Sequence, residues 1–216
     1  MTRKLLLTAL VLLTLLATGL ASSFLTGCGS ASEGQNGTRW SFMYSPNVDG
    51  PHAYGQEAQF TFPTRDGVHY LVTDPRSTSA IQASVTIETS GNPEFEFRTA
   101  ANNTCPGVGT FGLYFERKDY IGMSAPDGKY EFYRWWSTKR HALGEGTVQL
   151  FADLADPTQW TSVFGKRGAD HPAAFRAAVA DMRLAGFSFG GGCFYGHGVF
   201  IVPGTGSAVF KVNSFL

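Results

Sequence analysis

The segment Ile81-Gln82-Ala83-Ser84-Val85-Thr86-Ile87 alternates between apolar and polar side chains. Successive side chains of a β-strand point to opposite faces, so this period of two predicts a strand with one face in the core. Shorter segments with the same period lie on both sides of it, separated by clusters of Gly, Pro, Asn and Asp. They cover residues 40–44, 60–62, 68–72, 95–97, 111–115, 130–136 and 148–151. Short strands divided by turn residues are typical of an antiparallel sandwich or barrel.

The C-terminal part of the chain adds one helix and three strands. Apolar side chains recur at helical spacing over residues 172–184 and predict one short helix with a single apolar stripe. Asp170 is positioned to cap its first turn, and Gly186 follows as a stop. We expect this helix to close one end of the sandwich rather than to contact a partner. Strands are then predicted over 187–189, 199–202 and 207–215.

The N-terminus has the layout of a secretory signal. Thr2-Arg3-Lys4 is a short basic start, and an almost unbroken apolar run follows from Leu5 to Leu16, too short to predict a membrane span. Leu25-Thr26-Gly27-Cys28 resembles the lipobox of bacterial lipoproteins, in which the signal is removed before the Cys and the Cys is acylated. The alternative is ordinary cleavage near Ala21, which leaves Cys28 as a plain thiol.

This resemblance implies three regions: a signal peptide over 1–27, a lipidated flexible tether over 28–38, and one folded domain over 39–216. It implies a place in the bacterial cell envelope, outside the cytoplasm, with the acyl chains as the membrane contact. Cleavage before Cys28 removes two of the 17 basic residues and none of the 17 acidic ones. The resulting net charge is close to neutral, so the composition does not indicate a basic surface that binds nucleic acid.

Two cysteines, Cys105 and Cys193, remain if Cys28 is acylated. An exported chain passes through an oxidising compartment, so we expect a disulfide between them. The alternative is two separate buried thiols, because Cys193 lies in an apolar, glycine-rich segment. We expect no metal and no other cofactor, since Cys105 and Cys193 are far apart in the sequence and neither belongs to a close pair of cysteines. The histidines are scattered as well: His52, His69, His141, His171 and His197.

The C-terminal half resembles the jelly-roll sandwiches of the galactose-binding-like superfamily, which includes many carbohydrate-binding modules. The similar run consists of a strand over 147–154, a Trp-containing segment over 157–163, the helix, and strands over 186–189 and 208–215. The segment 189–198, Phe-Gly-Gly-Gly-Cys-Phe-Tyr-Gly-His-Gly, is also similar to that of a group of bacterial exported proteins. These resemblances imply an antiparallel jelly-roll β-sandwich that binds glycan. Asn213 stands where many such modules carry an Asp near a structural calcium.

Tyr133-Arg134-Trp135-Trp136 is the main candidate for a ligand site. Alternation along a strand sends Tyr133 and Trp135 to one face, and Arg134 and Trp136 to the other. One face must be core, because Trp side chains are large apolar groups. The other face would present an aromatic ring and a guanidinium, on which a sugar can stack and form hydrogen bonds. The alternative is a large aromatic core.

Tyr195 and His197 complete the candidate binding set. Gly196 and Gly198 flank His197, so a ligand or another backbone segment can approach its ring closely. A histidine that is hydrogen-bonded within a tight turn is the alternative interpretation.

Two motifs could carry catalysis instead. Gly186-Phe187-Ser188-Phe189-Gly190 fits the G-x-S-x-G elbow of serine hydrolases. The elbow needs a strand before it and a helix after it, whereas here the predicted helix comes first and a strand follows. No Asp or Glu follows within residues 189–216 to complete a triad. We therefore expect Ser188 to point out of a strand whose other face is core.

Glu94-Phe95-Glu96-Phe97 puts two carboxylates on one strand face. This is similar to part of the catalytic strand of jelly-roll glucanases, where neighbouring carboxylates act as nucleophile and acid. Thr99 stands where that family has a further Glu, and a solvated strand face is the alternative interpretation. The sequence thus predicts a non-catalytic envelope lipoprotein that binds glycan. The alternatives are a structural or adaptor lipoprotein that binds another protein, and a glycan-active hydrolase or lyase.

Overall fold

A computed structural model of the chain describes residues 32–33, 39–45, 48–54, 57–75, 79–97, 107–118, 130–192 and 195–216. The predicted signal peptide and the three cysteines, Cys28, Cys105 and Cys193, lie outside these residues. The described parts form fifteen strands and one α-helix. The strands are β1 (Ser32–Glu33), β2 (Arg39–Met43), β3 (His52–Tyr54), β4 (Glu57–Thr61), β5 (Tyr70–Thr73), β6 (Ala80–Gly91), β7 (Phe95–Phe97), β8 (Thr110–Arg117), β9 (Arg134–Ser137), β10 (His141–Ala142), β11 (Gly146–Asp153), β12 (Trp160–Ser162), β13 (Met182–Gly190), β14 (Val199–Ile201) and β15 (Gly206–Phe215), and the helix is α1 (Pro172–Ala180).

The strands build two large antiparallel sheets that pack face to face, and a separate sheet of two strands. The first sheet has the order β1-β2-β5-β13-β8-β9-β12, with β10 also paired to β8. The second sheet has the order β11-β6-β15-β4-β3, and β14 pairs with β7. The run β4-β15-β6-β11 faces the run β5-β13-β8-β9, which is the connectivity of a jelly roll. The predicted antiparallel jelly-roll sandwich with one helix is confirmed.

The strand predicted over 81–87 is the central part of β6. Ile81, Ala83, Val85 and Ile87 are buried, and the side chains between them are exposed or half-buried. β6 pairs with β11 on one side and with β15 on the other, so its position in the sheet is fixed from both edges. The alternation therefore indicated both the strand and the face that it buries.

The core between the sheets is largely aromatic. Phe210 of β15 lies at its centre, with ring centroids 5.3 Å from Phe60 on its own sheet and 5.3 Å from Phe111 on the facing sheet. Phe187 and Phe189 of β13 contact the same ring at 5.4 and 5.1 Å. Such offset and edge-to-face pairs add to the burial of large apolar area, so the two sheets are joined mainly through these rings.

The helix is shorter than the predicted 172–184. It ends at Ala180, with Asp181 at its C-cap, because the chain from Met182 onward joins β13 and pairs with β8. The predicted cap by Asp170 is also wrong, since His171 occupies the N-cap position and its side chain makes no capping bond. Phe175 of the helix packs on core rings, 5.0 Å from Trp135 and 5.9 Å from Phe115.

The aromatic strand predicted over 130–136 begins later than expected. Residues Tyr130–Phe132 form a 3-10 turn, and β9 starts at Arg134. Within the described part of the chain, no helix has the length and apolar character needed to cross a membrane.

Candidate functional site

The outer face of the first sheet, directed away from the core, carries aromatic side chains. Tyr70 of β5, Tyr114 of β8 and Trp136 of β9 form a second buried cluster with Val72. Their ring centroids are 4.7 Å apart between Tyr70 and Tyr114, and 5.6 Å apart between Tyr114 and Trp136. We call these three residues the outer ring row. An outer sheet face is commonly polar and solvated, so this one is unusual.

The Arg134 guanidinium lies on the outer ring row. Its central carbon is 4.7 Å from the ring centroid of Tyr70, 5.5 Å from that of Tyr114 and 5.2 Å from that of Trp136. Tyr44, just after β2, adds a fourth ring at 5.7 Å. Only 12% of the Arg134 side chain is exposed. Attraction between the cation and the faces of the rings therefore holds the guanidinium in a partly dry position.

A hydrogen-bond chain fixes the orientation of Arg134. Its Nε donates to the Tyr114 hydroxyl at 2.8 Å, and that hydroxyl donates to Oε2 of Glu116 at 2.8 Å. Burial raises the pKa of Glu116, against the opposing effects of the Tyr114 hydrogen bond and the Arg134 charge. Burial also raises the pKa of Tyr114 well above its ordinary value. Tyr114 therefore remains a neutral phenol at neutral pH and works as a bridge between Arg134 and Glu116.

A second guanidinium, that of Arg140, lies across the same face. It fits over Gly112, where an added Cβ would come within 2.9 Å of Arg140 Nη1. Nη1 donates to Ser188 Oγ at 2.6 Å, and Nη2 donates to the carbonyl oxygens of Ser188 and Tyr195 at 3.0 and 3.3 Å. Burial lowers the pKa of Arg140 to about 10, so it remains charged at neutral pH.

The turn over residues 195–198 covers part of this face. The Tyr195 ring stacks over Arg140, with 4.8 Å between the ring centroid and the guanidinium carbon. Gly196 lies against the Tyr70 hydroxyl, so that an added Cβ would collide with it. His69 Nδ1 donates to the Gly196 carbonyl at 3.0 Å. These contacts fix the turn against the outer ring row.

His197 is exposed at the tip of this turn. Burial lowers its pKa, and the charges of His69 and Arg134 lower it further. The imidazole is therefore mainly neutral at neutral pH, with one ring nitrogen as a donor and the other as an acceptor.

The structure brings four of the predicted binding residues together and separates two. The four that lie on or beside the outer face are Arg134, Trp136, Tyr195 and His197. The charge of Arg134 is close enough to His197 to lower the pKa of its imidazole. Trp135 is fully buried in the core, so the predicted split of the two Trp side chains to opposite faces is confirmed. Tyr133 is buried as well, under the Arg117 guanidinium at 4.6 Å.

No motif in the sequence pointed to five residues of this face, which are Tyr44, Tyr70, Tyr114, Glu116 and Arg140. On β8 the period of two indicated the inward set that includes Phe111 and Phe115, and it gave no role to the positions between them. A signal was available, because an aromatic ring at a position expected to be polar indicates that something covers that face. Arg140 carried no such signal, since its partners Ser188 and Tyr195 are distant in sequence.

The two candidate catalytic motifs, around Ser188 and around Glu94 and Glu96, have alternating side chains that point to opposite faces of a strand. Ser188 is fully buried in β13 between the inward rings of Phe187 and Phe189, and its hydroxyl accepts a hydrogen bond from Arg140. Glu94 and Glu96 are exposed, while Phe95 and Phe97 pack against the core. Among the described residues, no three His, Cys, Asp or Glu side chains come together in a group that could hold a metal.

The outer face of the second sheet is polar by contrast. Asn213 Nδ2 donates to Thr86 Oγ1 at 2.8 Å, and Thr86 and Thr147 share a hydrogen bond of 2.9 Å. Lys211 pairs with Glu88 on the same face. Side chains of this kind are well solvated, so the two outer faces of the sandwich differ in chemistry.

No protein-family model matches this chain, and a search of curated proteins found no match either. Its function therefore rests on the geometry of the outer face.

Proposed function

We propose that this chain is a non-catalytic binding module of the bacterial cell envelope, and that the outer face of the first sheet binds a glycan. The observation that carries the proposal is the Arg134 guanidinium, held on the outer ring row and bordered by exposed Tyr44 and His197. Sugars present flat C–H faces together with hydroxyl groups. A partly exposed ring beside oriented donors matches both features.

Two groups at this face are suited to a neutral, hydroxylated ligand. Tyr44 is 51% exposed and offers a ring for stacking. His197 can donate to one hydroxyl and accept from another, because its lowered pKa keeps it neutral. The supporting side chains are already fixed by packing, so binding orders few of them.

The envelope location is part of the same proposal. Its support is the N-terminal sequence, in which an apolar run leads to Leu25-Thr26-Gly27-Cys28. Radiolabelled palmitate fed to bacteria that express the full chain should label the protein, and Cys28→Ser should abolish the label.

We also propose a disulfide between Cys105 and Cys193. Thiol alkylation of the purified chain should modify these two cysteines only after reduction.

The glycan proposal is tested with the full chain, purified in detergent. The probes are soluble xylan, carboxymethylcellulose, polygalacturonate and soluble peptidoglycan fragments, with Trp fluorescence as the binding signal and reducing-sugar release assayed in parallel. We expect saturable binding to at least one probe without product. His197→Ala should weaken that binding by roughly three- to tenfold. The matched control is His52→Ala, an exposed histidine of the second sheet, which should bind like the wild type.

Two results would contradict this proposal. Failure of every probe to bind would argue against a glycan ligand and in favour of a protein-facing adaptor. Release of reducing sugar would indicate catalysis, and the Glu94→Gln, Glu96→Gln double variant would then show whether those carboxylates are responsible.

A further inference from the structure

The second sheet ends in a long strand whose outer edge is open. Among the described strands, β11 pairs with β6 alone. Gln82 of β6 lies opposite Phe151, but its backbone N–H and C=O both pair with Leu216 on the far side. The backbone groups of Phe151 therefore point away from β6, because groups along an antiparallel strand alternate between its two sides. The register has no shift, so Thr147 and Gln149 point the same way.

The open part of this edge has clear ends. The Asp153 N–H donates to Gln159 Oε1 at 3.0 Å, and the Asp153 carbonyl oxygen accepts from Trp160 Nε1 at 2.8 Å. These two bonds close the edge at its C-terminal end, and β11 begins at Gly146 at the other end. Between them, no described residue hydrogen-bonds to the outward backbone groups of the segment 147–151. We call this segment the open edge.

The other sheet ends are short or covered. β1 and β3 have two and three residues. The chain after β12 folds back onto that strand, where the Ser162 N–H donates to the Lys166 carbonyl at 2.8 Å. Proteins otherwise protect edge strands with charged side chains or proline, and the open edge, Thr-Val-Gln-Leu-Phe, contains neither. Its Phe151 side chain is also 57% exposed. An apolar, uncharged edge of this kind is suited to pairing with another strand.

We propose that the open edge pairs with the open edge of a second copy of this chain, antiparallel about a twofold axis through Gln149. In this register Gln149 faces Gln149 of the second copy, and Thr147 faces Phe151 of the second copy. All of these residues direct their backbone groups outward, so three N–H groups from each copy find acceptors. The two five-stranded sheets then become one continuous sheet. The inference is independent of the proposed glycan site, which lies on the other sheet.

The side chains of the open edge favour a second copy over an unrelated strand. On the outer face, Phe151 lies beside Thr147 of the second copy, an aromatic and β-branched pair, and the two Gln149 amides can hydrogen-bond to each other. On the inner face, Val148 is half-buried against the core and faces Leu150 of the second copy. No like charges meet within the segment. The same patch serves both copies, so the contact closes as a dimer.

The test measures self-association of the full chain by analytical ultracentrifugation in detergent, with micelles in large excess over protein. We expect a weak dimer with a Kd of roughly 10 to 100 µM, because the paired segment is far smaller than a standard interface. Gln149→Lys and Gln149→Glu should each weaken the dimer at least about tenfold, since like charges then lie opposite each other on neighbouring strands. An equimolar mixture of the two variants should dimerise within about threefold of the wild type, because the facing charges are opposite.

The matched control is Gln82→Lys, which makes the same change on the same outer face but on β6, inside the sheet. It should change the Kd by less than about twofold. The thermal midpoints of Gln149→Lys and Gln82→Lys, measured at low protein concentration, should agree within about 2 °C, because both positions are exposed. This agreement separates a loss of pairing from a loss of folding.

Three results would overturn the inference. The first is a wild-type chain that remains monomeric at about 500 µM, well above the expected Kd. The second is a dimer that survives the single charged variants, or one that their mixture does not restore, because the interface would then lie elsewhere. The third is an equal loss of association in Gln82→Lys, which would show a general effect of charge.

Discussion

Arg134 and its neighbours show how single residues create a site from an ordinary strand. The guanidinium is attracted to four ring faces at once, and Tyr114 links it to the buried Glu116 carboxylate. A paired charge in a partly dry environment has less freedom to reorient than one on an open surface. The residue is therefore positioned before any ligand arrives.

Glu116 gives this cluster a pH dependence. Burial raises its pKa in the folded protein above the ordinary 4.5. A carboxyl whose pKa is raised on folding contributes stability below its unfolded pKa and loses it as the pH rises through the folded pKa. We therefore expect the wild type to lose stability relative to Glu116→Gln as the pH rises from about 4 to 8. Urea unfolding of both proteins across this range measures the difference. A difference that stays constant, or that changes in the opposite sense, contradicts this account.

Arg140 is expected to stabilise the fold through its fixed hydrogen bonds. Arg140→Met keeps much of the apolar stem but leaves the Ser188 and Tyr195 carbonyl oxygens without this donor. We expect the free energy of unfolding to fall by about 2–4 kcal/mol, measured by urea denaturation at neutral pH. Arg65→Met is the control, because 82% of that side chain is exposed, and it should change stability by less than about 0.5 kcal/mol. Equal effects of the two substitutions would contradict a structural role for Arg140.

At the scale of elements, the turn over residues 195–198 depends on close backbone approach. Gly196→Ala would place a methyl group against the Tyr70 hydroxyl, and Tyr70 is itself held in the outer ring row. We expect a loss of about 1–3 kcal/mol, because either the turn or the ring must move. Gly144→Ala is the matched control, since an added Cβ there has open space, and it should be neutral. Thermal unfolding followed by circular dichroism compares the two, and a stable Gly196→Ala variant would disprove the tight contact.

The sequence predicted the strands better than the helix end or the site. In β6 the alternation of side chains indicated both the strand and its buried face, and this local signal agrees with the sheet. The helical spacing from Phe175 to Met182 extended past the real end of α1, because pairing with β8 draws Met182 into β13. Tertiary pairing overrides such a local pattern.

The sequence predicted only some of the residues on the outer face. Arg134, Trp136, Tyr195 and His197 belong to the predicted set, and their residue types and neighbours gave the reason. Arg140 reaches Ser188 across 48 positions of the chain. The spacing of side chains along the sequence cannot predict such a contact, because the contact depends on which strands become neighbours in the sheet.

The whole molecule depends on the aromatic contacts between its sheets. Phe210→Ala removes a ring that contacts Phe60 on one sheet and Phe187 on the other. We expect it to lower the free energy of unfolding by about 3–5 kcal/mol. Phe151→Ala on the neighbouring part of the second sheet removes a ring that is mostly in water, and it should cost less than about 1 kcal/mol. Urea denaturation of both variants tests this, and similar losses would show that Phe210 is not central to the core.

The position of β15 determines when the molecule can fold. This strand fills the gap between β4 and β6 in the second sheet, although both of its neighbours precede it by a long stretch of chain. The edges of β4 and β6 that face β15 remain unpaired until residues 206–215 join the sheet. The sandwich therefore closes only when β15 enters the sheet, and until then these open edges are the place where two unfolded copies can pair wrongly.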